Sequence, residues 1–507
     1  MKFHLDKHKH ILLFSIAYLL LFIPFIGHVH LFDWDEINFA EAAREMILTG
    51  DWLNVQINFE PFWEKPPLFI WIQAFSMSIF GINEFAARFP NVLIGLVTVL
   101  TIYFSVKKRY GHNASIYSVL FYAGSFTPHF YFKTGIIDPF FNLFIFISII
   151  NLVSGIENRR LMNFFLAGLS LGFAVITKGP VSILLVGFTG LVYQIVYKNN
   201  FYSFKELLFI LLGLLILPMG YFGMQVTVHG WWFLNEFLIY QIDLFRYPIA
   251  SHGQPFYYHF IVLLIGCFPV FVLSFSGLLS KINFSGDRNL VRFMNIMFWV
   301  VLIVFSSVTT KIVHYSSMCY IPLSIIGGVW LSKNDRMGTK TRLLFVAISI
   351  LWMLVYSILS IPAISSSFLN DIVSTIEIRD KNVVSILATD VSWSLLPLIT
   401  TIIFIIISIV LAVKNSRRFI TLYLIINTVI ISVFISSVVP SIEKMIQGDW
   451  IGQLKTYKDK PYTHFTYGFK SYAHYFYTSQ TEIKEVKEIK TSLLKKNGYK
   501  SIYDLDQ

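Results

Sequence analysis

Eight of the chain's 29 acidic residues fall between positions 33 and 64: Asp33, Asp35, Glu36, Glu41, Glu45, Asp51, Glu60 and Glu64. The stretch closes on Glu64-Lys65-Pro66-Pro67, an opposite-charge pair beside two prolines that force an extended or turned backbone. Further charged and aromatic side chains recur in short motifs. These are Lys133 to Pro139 (KTGIIDP), Thr177-Lys178-Gly179-Pro180, Arg246 with His252-Gly253-Gln254-Pro255 and Tyr257-Tyr258, and Thr310-Lys311-Ile312-Val313-His314-Tyr315. Carboxylates of this kind serve as general acids and bases, and lysine or arginine stabilises a developing or departing anion. Paired carboxylates also suit hydrolysis of a glycosidic bond, in which two acids face each other across the substrate.

The elements that must position these groups are membrane spans. In 507 residues, 55% are apolar, 17% aromatic and only 14% charged, a composition that excludes an ordinary soluble protein. The first apolar run, from Ile11, is about as long as a span and lacks a small-residue cleavage site after it, so it reads as a retained anchor. Cys267 and Cys319 both sit in apolar segments, which excludes a disulfide framework or a cysteine metal site. A net charge of +11 would suit nucleic acid, but the basic residues alternate from loop to loop instead of forming a patch. One set of short loops holds 20 Lys and Arg and the intervening set nine. The positive-inside rule makes the richer set cytoplasmic.

This alternation predicts thirteen spans, near 11–32, 86–106, 113–131, 136–154, 161–177, 180–197, 205–225, 256–279, 291–309, 312–332, 342–362, 392–413 and 418–438, with 66–82 re-entrant or interfacial. Asp33-x-x-Glu36 has capping-box spacing, and Ile37, Ala40, Ala43 and Ile47 share a face, which predicts an amphipathic helix over 34–48 lying on the membrane surface. The chain thus divides into a transmembrane domain (1–438), with 33–85 as its first external loop, and a small external α/β domain (439–507), in which 461–468 alternates like a strand. Under this topology Asp35, Glu36, Glu64, Lys65, Arg88, Lys133, Asp138, Lys178, Arg246, His252, Lys311 and His314 all fall at external span ends or in external loops.

Asp35-Glu36, Ala40-Glu41, Arg44-Glu45-Met46, Gly50-Asp51-Trp52, Glu64-Lys65-Pro66-Pro67, Phe80-Gly81 and Ala87-Arg88-Phe89-Pro90, followed by the Lys-Gly-Pro and Lys-x-x-His-Tyr motifs, resemble polyprenyl-phosphate-sugar glycosyltransferases of the GT-C type. Within that group the chain is most similar to the lipid A aminoarabinose transferases and the protein O-mannosyltransferases. Relatives usually follow the Asp-Glu pair with Arg-Tyr; here those positions are Asn38 and Phe39, so a phosphate-binding arginine is missing. The resemblance implies transfer of 4-amino-4-deoxy-L-arabinose, or another pentose or hexose, from an undecaprenyl or other polyprenyl phosphate to lipid A or a protein hydroxyl. The expected location is a bacterial inner membrane, with the active site facing the periplasm or exterior.

For that reaction Lys65, Lys178, Arg246, Lys311 and Arg88 are the expected ligands of the departing phosphate. Asp35 is the expected base; Asp138 is the runner-up or an orienting group, and Glu36 stands beside Asp35. Tyr257, Tyr258, His314 and Tyr315 are expected to line the substrate. No cofactor is required, although Glu64 and His252 lie where aminoarabinose-transferase relatives bind a divalent ion such as zinc. Two ligands alone do not establish a metal. A transporter or flippase is the competing reading, but carriers place charge at midplane within repeated halves, and here the charges gather at one face.

Overall fold

The computed structural model describes residues 2–197, 203–246, 253–279, 289–365, 367–375, 378, 380–460, 464 and 471–481. A first helix, α1 (Lys2–Phe22), leads through a turn into α2 (Asp35–Thr49). A hairpin of β1 (Gln56–Ile57) and β2 (Glu60–Pro61) and a short helix α3 (Leu68–Phe80) complete this end of the molecule. The bundle continues through α4 (Glu84–Tyr110), α5 (His112–Ala123), α6 (Phe126–Tyr131), α7 (Asp138–Asn158), α8 (Leu161–Lys178) and α9 (Val181–Tyr197). Then come α10 (Phe204–His229), α11 (Trp231–Arg246), α12 (Tyr258–Gly266), α13 (Val270–Leu279), α14 (Asn289–Ser307) and α15 (Tyr320–Lys333). The remainder is α16 (Thr339–Ser360), the short α17 (Phe368–Thr375) and α18 (Lys381–Leu387), α19 (Leu396–Lys414), α20 (Arg417–Glu443), α21 (Asp449–Thr456) and α22 (Ala473–Thr478).

This is an all-α polytopic membrane protein. Among the described residues eight helices are long and apolar enough to cross a membrane, and a ninth span results if α12 and α13, bent by 116° at their break, count as one. The remaining predicted spans are shorter or broken. Helix α1 stops two residues before Pro24, 113–131 is parted at Gly124-Ser125, 256–279 breaks at Cys267 to Pro269, and 312–332 opens with a 3-10 segment, Val313–Cys319. Proline and glycine at such points interrupt the helical hydrogen-bond ladder. Helices α8 and α10 approach closely because Gly168 and Gly213 face each other's backbone. A Cβ on Gly168 would lie 2.0 Å from Ile210 O, and one on Gly213 2.2 Å from Phe165 O.

Two sequence expectations change at the α2 end. The capping box does not form: Trp34 caps α2 without a side-chain bond, and Asp33 turns instead toward Ser471. Nor is α2 a one-sided surface helix, since Glu36, Ile37 and every residue from Phe39 to Met46 are buried beneath α3, α22 and the hairpin. The expected boundary after residue 438 falls inside α20, which runs on through a π-helical turn, Lys444–Gly448, into α21. Ile451, Leu454 and Phe476 share one apolar core with Leu31, Ile37, Met46, Ile70 and Ala74. The described residues after 438 are therefore helical and packed into the first inter-helix segment. Most of the alternating 461–468 stretch lies outside the described residues.

Charge is buried in this junction. Arg44 grips Glu41 through two bonds of 2.8 and 2.6 Å and also donates to Gln480 O, which ties the C-terminal segment to α2. Glu45 accepts the backbone N–H groups of Asn58 and Phe59, the left-handed residues of the hairpin turn. Burial, followed by the charge and hydrogen bond of Glu41, pushes the Glu45 carboxyl up to about 9. Between the unfolded value of about 4.5 and that folded value, the native state holds a proton that the unfolded chain has released. Stability is thus expected to fall as pH rises through this window, by up to about 1.4 kcal/mol per unit. Thermal unfolding in detergent from pH 5 to 9 tests this: Glu45→Gln should flatten the decline, and parallel curves for the two proteins would rule the shared proton out.

Candidate functional site

The α2 end is organised by a buried carboxylate and guanidinium in which no bonding position is spare. Arg88 on α4 donates Nε to Glu36 Oε1 (2.9 Å) and Nη2 to Glu36 Oε2 (2.7 Å). Its remaining N–H groups go to the carbonyls of Ile26, Val29 and His30. Glu36 accepts in addition from Phe32 N and Gly135 N. All five guanidinium donors and two acceptor positions on each carboxylate oxygen are occupied. Burial alone would raise the Glu36 carboxyl, but the charge and hydrogen bonds of Arg88, with the Phe32 and Gly135 amides, hold it below the ordinary value. Arg88 therefore has no donor left for a phosphate, contrary to the sequence expectation, and Glu36 no lone pair for a substrate proton.

One residue earlier, the next side chain turns away from this pair. Asp35 is 46% exposed, and its Oδ2 lies 3.7 Å from His314 Nε2. The other imidazole nitrogen, Nδ1, is 2.7 Å from the Tyr131 hydroxyl. Opposite stands the second charged pair. Asp138, at the start of α7, receives a 2.6 Å bond from Lys178, at the last turn of α8, and a longer one of 3.4 Å from Ser317. The Lys178 ammonium also sits 5.6 Å from the Tyr315 ring centre and 5.7 Å from that of Phe141. Two motifs distant in the chain, Lys178-Gly179-Pro180 and Lys311-x-x-His314-Tyr315, thereby meet.

The third contribution is the Glu64-Lys65 corner. Tyr240 on α11 donates its hydroxyl to Glu64 Oε2 (3.0 Å), and its ring lies 5.2 Å from Lys65 Nζ. Gln241 on the same helix reaches Glu64 O at 3.5 Å. Lys65 forms no ion pair among the described residues. Its ammonium is lowered from the ordinary value by burial first, with Lys178 acting in the same direction, while Glu64, Asp35 and Asp138 partly restore it. Lys65 thus shares one electrostatic neighbourhood with Asp35, Glu64, Asp138 and Lys178. These residues form a semi-enclosed cluster of two lysines, three carboxylates, an imidazole and several tyrosines at the α2 end.

Other expected residues lie apart from it. Lys311 is buried with its ammonium on Val308 O (2.6 Å), and its charge is felt by His259. Arg246 ends α11 with an exposed side chain, and its carbonyl accepts from Thr309. Tyr257 is exposed, and Tyr258 packs against His259. His252 lies outside the described residues. Among the described residues no group of three or more His, Cys, Asp or Glu gathers to hold a metal, and Glu64 meets Tyr240 and Gln241. Tyr131, Tyr240 and Ser317 join the cluster without any sequence signal beyond polarity: Tyr240 sits in a helix that reads as loop, and Ser317 in an apolar run. Asn38, one turn after Asp35, keeps a buried Oδ1 with no partner among the described residues. Phe39 packs on Phe69 and belongs to an apolar cluster with Phe140.

Comparison with known proteins places this geometry. The family profile for dolichyl-phosphate-mannose-protein mannosyltransferase matches residues 64–222. An uncharacterized protein of Aquifex aeolicus (strain VF5) is 29% identical over 334 residues, covering 64% of this chain and 74% of that protein. The undecaprenyl phosphate-alpha-4-amino-4-deoxy-L-arabinose arabinosyl transferase of Wigglesworthia glossinidia brevipalpis is 27% identical over 336 residues, 64% of this chain but only 59% of its own length. The chain therefore spans less than two thirds of that named relative. The crystal structure of ArnT from Cupriavidus metallidurans bound to undecaprenyl phosphate superposes with a TM-score of 0.73 at 16% identity, over 97% of this chain and 89% of that one. At that identity the likeness establishes the fold.

The closure of the Glu36 and Arg88 pair makes it a structural element. Arg88→Leu, which strands a buried carboxylate, is expected to cost about 3–5 kcal/mol, with Arg88→Lys recovering only part because three donors replace five. Thermal unfolding of the purified variants measures this. A variant of normal stability that had lost only ligand binding would reverse the assignment.

Proposed function

We propose that the chain is a GT-C type polyprenyl-phosphate-sugar glycosyltransferase, a reading supported by its likeness to the aminoarabinose and protein mannosyl transferases, and that it moves a sugar from a polyprenyl phosphate to an acceptor O–H at one membrane face. The observation that carries this reading is the cluster itself: Lys65, with no ion-pair partner among the described residues, and Lys178, held by Asp138, share one neighbourhood with a half-exposed Asp35. In this reading the donor phosphate lies against Lys65 and Lys178, with Tyr240 and Tyr315 beside them. Charge-assisted bonds in a water-poor site stabilise the phosphate as it departs. The acceptor oxygen attacks the glycosyl carbon, the bond from that carbon to the phosphate oxygen breaks, and the acceptor proton passes to Asp35. The products are the glycosylated acceptor and the free polyprenyl phosphate.

His314 is placed to orient Asp35, because its other nitrogen is anchored on Tyr131. Asp138 orients Lys178 and is too enclosed to meet an acceptor directly. The donor class follows the relatives, with 4-amino-4-deoxy-L-arabinose on undecaprenyl phosphate as the leading case and lipid A, or failing that a protein hydroxyl, as acceptor. The bias of basic residues across short loops supports a bacterial inner membrane with the site on the periplasmic side. No step is assigned to a metal.

Two substitutions test the roles separately, in proteoliposomes supplied with donor and acceptor. Asp35→Asn preserves shape and removes the base, so turnover should fall at least about 100-fold while donor affinity and thermal stability stay unchanged. Full turnover at saturating substrates would remove Asp35 from the mechanism. Lys65→Ala should instead weaken binding of the donor phosphate about tenfold or more, the equivalent of one charge-assisted bond, with folding intact. Wild-type protein that carried intact donor across the vesicle without cleaving it would establish a transporter.

A further inference from the structure

A second basic crevice lies beside the Glu36 and Arg88 pair, with Arg88 in its lining. Its cavity is about 40 Å3, with walls from the turn after α1, the turn after α6 and the last part of α20. Phe25, Val29, Lys133, Thr134, Ser436 and Val439 line it, and Phe25 is 58% exposed at its rim. Lys133 is 8% exposed. Its ammonium donates to Pro24 O at 3.2 Å and, among the described residues, meets no carboxylate. Arg88 also lines the crevice, but its five donors are already spent. A buried cation with no counter-ion among the described residues, set in an apolar wall with the Ser436 hydroxyl, is chemically incomplete, since the Thr134 hydroxyl is already given to the Tyr131 carbonyl.

Depth identifies what completes it. Counting from Arg417 at 1.5 Å per residue, Ser436 and Val439 stand roughly 28–33 Å along α20, where a hydrocarbon core of about 30 Å gives way to headgroups. Arg88, at the same end, is roughly 30 Å along α4 from Lys108. The crevice is therefore at headgroup depth. It is also separated from the Lys65 and Lys178 cluster by the Lys133 to Gly135 turn, whose Gly135 N–H is bonded to Glu36. We propose that this crevice binds the phosphate of a bilayer phospholipid, with Lys133 as its counter-ion, Ser436 as a hydroxyl partner, and an acyl chain against Phe25, Val29 and Val439. It is a lipid site distinct from that of the donor.

Native mass spectrometry of the purified full chain, titrated with phosphatidylglycerol or with diacylglycerol, tests this. Wild type should retain phosphatidylglycerol in preference to diacylglycerol, which has the same chains but no phosphate. Lys133→Gln should weaken phosphatidylglycerol binding about tenfold, and Lys133→Arg should restore most of it. Undecaprenyl phosphate affinity should be unchanged in Lys133→Gln, and Lys65→Ala should show the converse pattern. If Lys133→Gln does not fold, Val439→Trp fills the crevice from its other wall and should abolish the same binding. Equal affinity for the two lipids, undiminished binding in Lys133→Gln or Val439→Trp, or loss of phosphatidylglycerol in Lys65→Ala would each overturn the proposal.

Discussion

Every bonding position of the Glu36 and Arg88 pair is filled, and the α2 end of the molecule depends on that closure. The two side chains together hold the turn after α1, Phe32 ahead of α2, the N-terminal ends of α2 and α4, and the backbone at Gly135. A charge pair buried at low dielectric is tolerable only when its hydrogen-bonding capacity is met, and here the two helices supply the pair while the backbone from Ile26 to Phe32 and at Gly135 completes it. The consequence for chemistry is positional. With Glu36 immobilised, Asp35 has one available direction, outward beside His314.

The candidate site has the opposite electrostatic character. Its charges are only partly compensated: Lys178 has Asp138, Lys65 has no ion-pair partner among the described residues, and the charge of Lys178 disfavours that of Lys65. An anion between them reverses that repulsion, whereas the Arg88 pair gains nothing from a ligand. Glu45 and Glu64 show a similar contrast in their surroundings. The former is buried against a hairpin backbone, while the latter is held by a single tyrosine hydroxyl at the edge of the cluster.

The C-terminal residues belong to this arrangement. Helices α21 and α22 pack against α2 and α3, the Tyr477 hydroxyl accepts the Leu31 N–H, and Gln447 donates to the Leu31 carbonyl. Arg44 and Gln480 complete the link. The floor beneath Asp35 is therefore built from residues more than 400 positions apart in the chain.

Composition and periodicity suffice to identify a polytopic helical protein, because a run of apolar residues about 20 long has no stable soluble alternative. The motifs around Asp35, Lys65, Asp138, Lys178 and His314 likewise mark the residues that converge, since charge at span ends is scarce enough to be noticed. What a linear reading cannot decide is which charges neutralise one another. Arg88 and Lys65 look equivalent in sequence, yet one spends every donor on the protein and the other meets no carboxylate at ion-pair distance. Tyr240, Tyr131 and Ser317 enter the site only because α11, α6 and the segment before α15 are brought to one end, and Lys311 leaves it because its ammonium turns to a local carbonyl. Hydrogen-bond saturation is a property of three-dimensional neighbours. Tertiary packing, which sequence spacing does not encode, decided which cations became structure and which stayed open to a ligand.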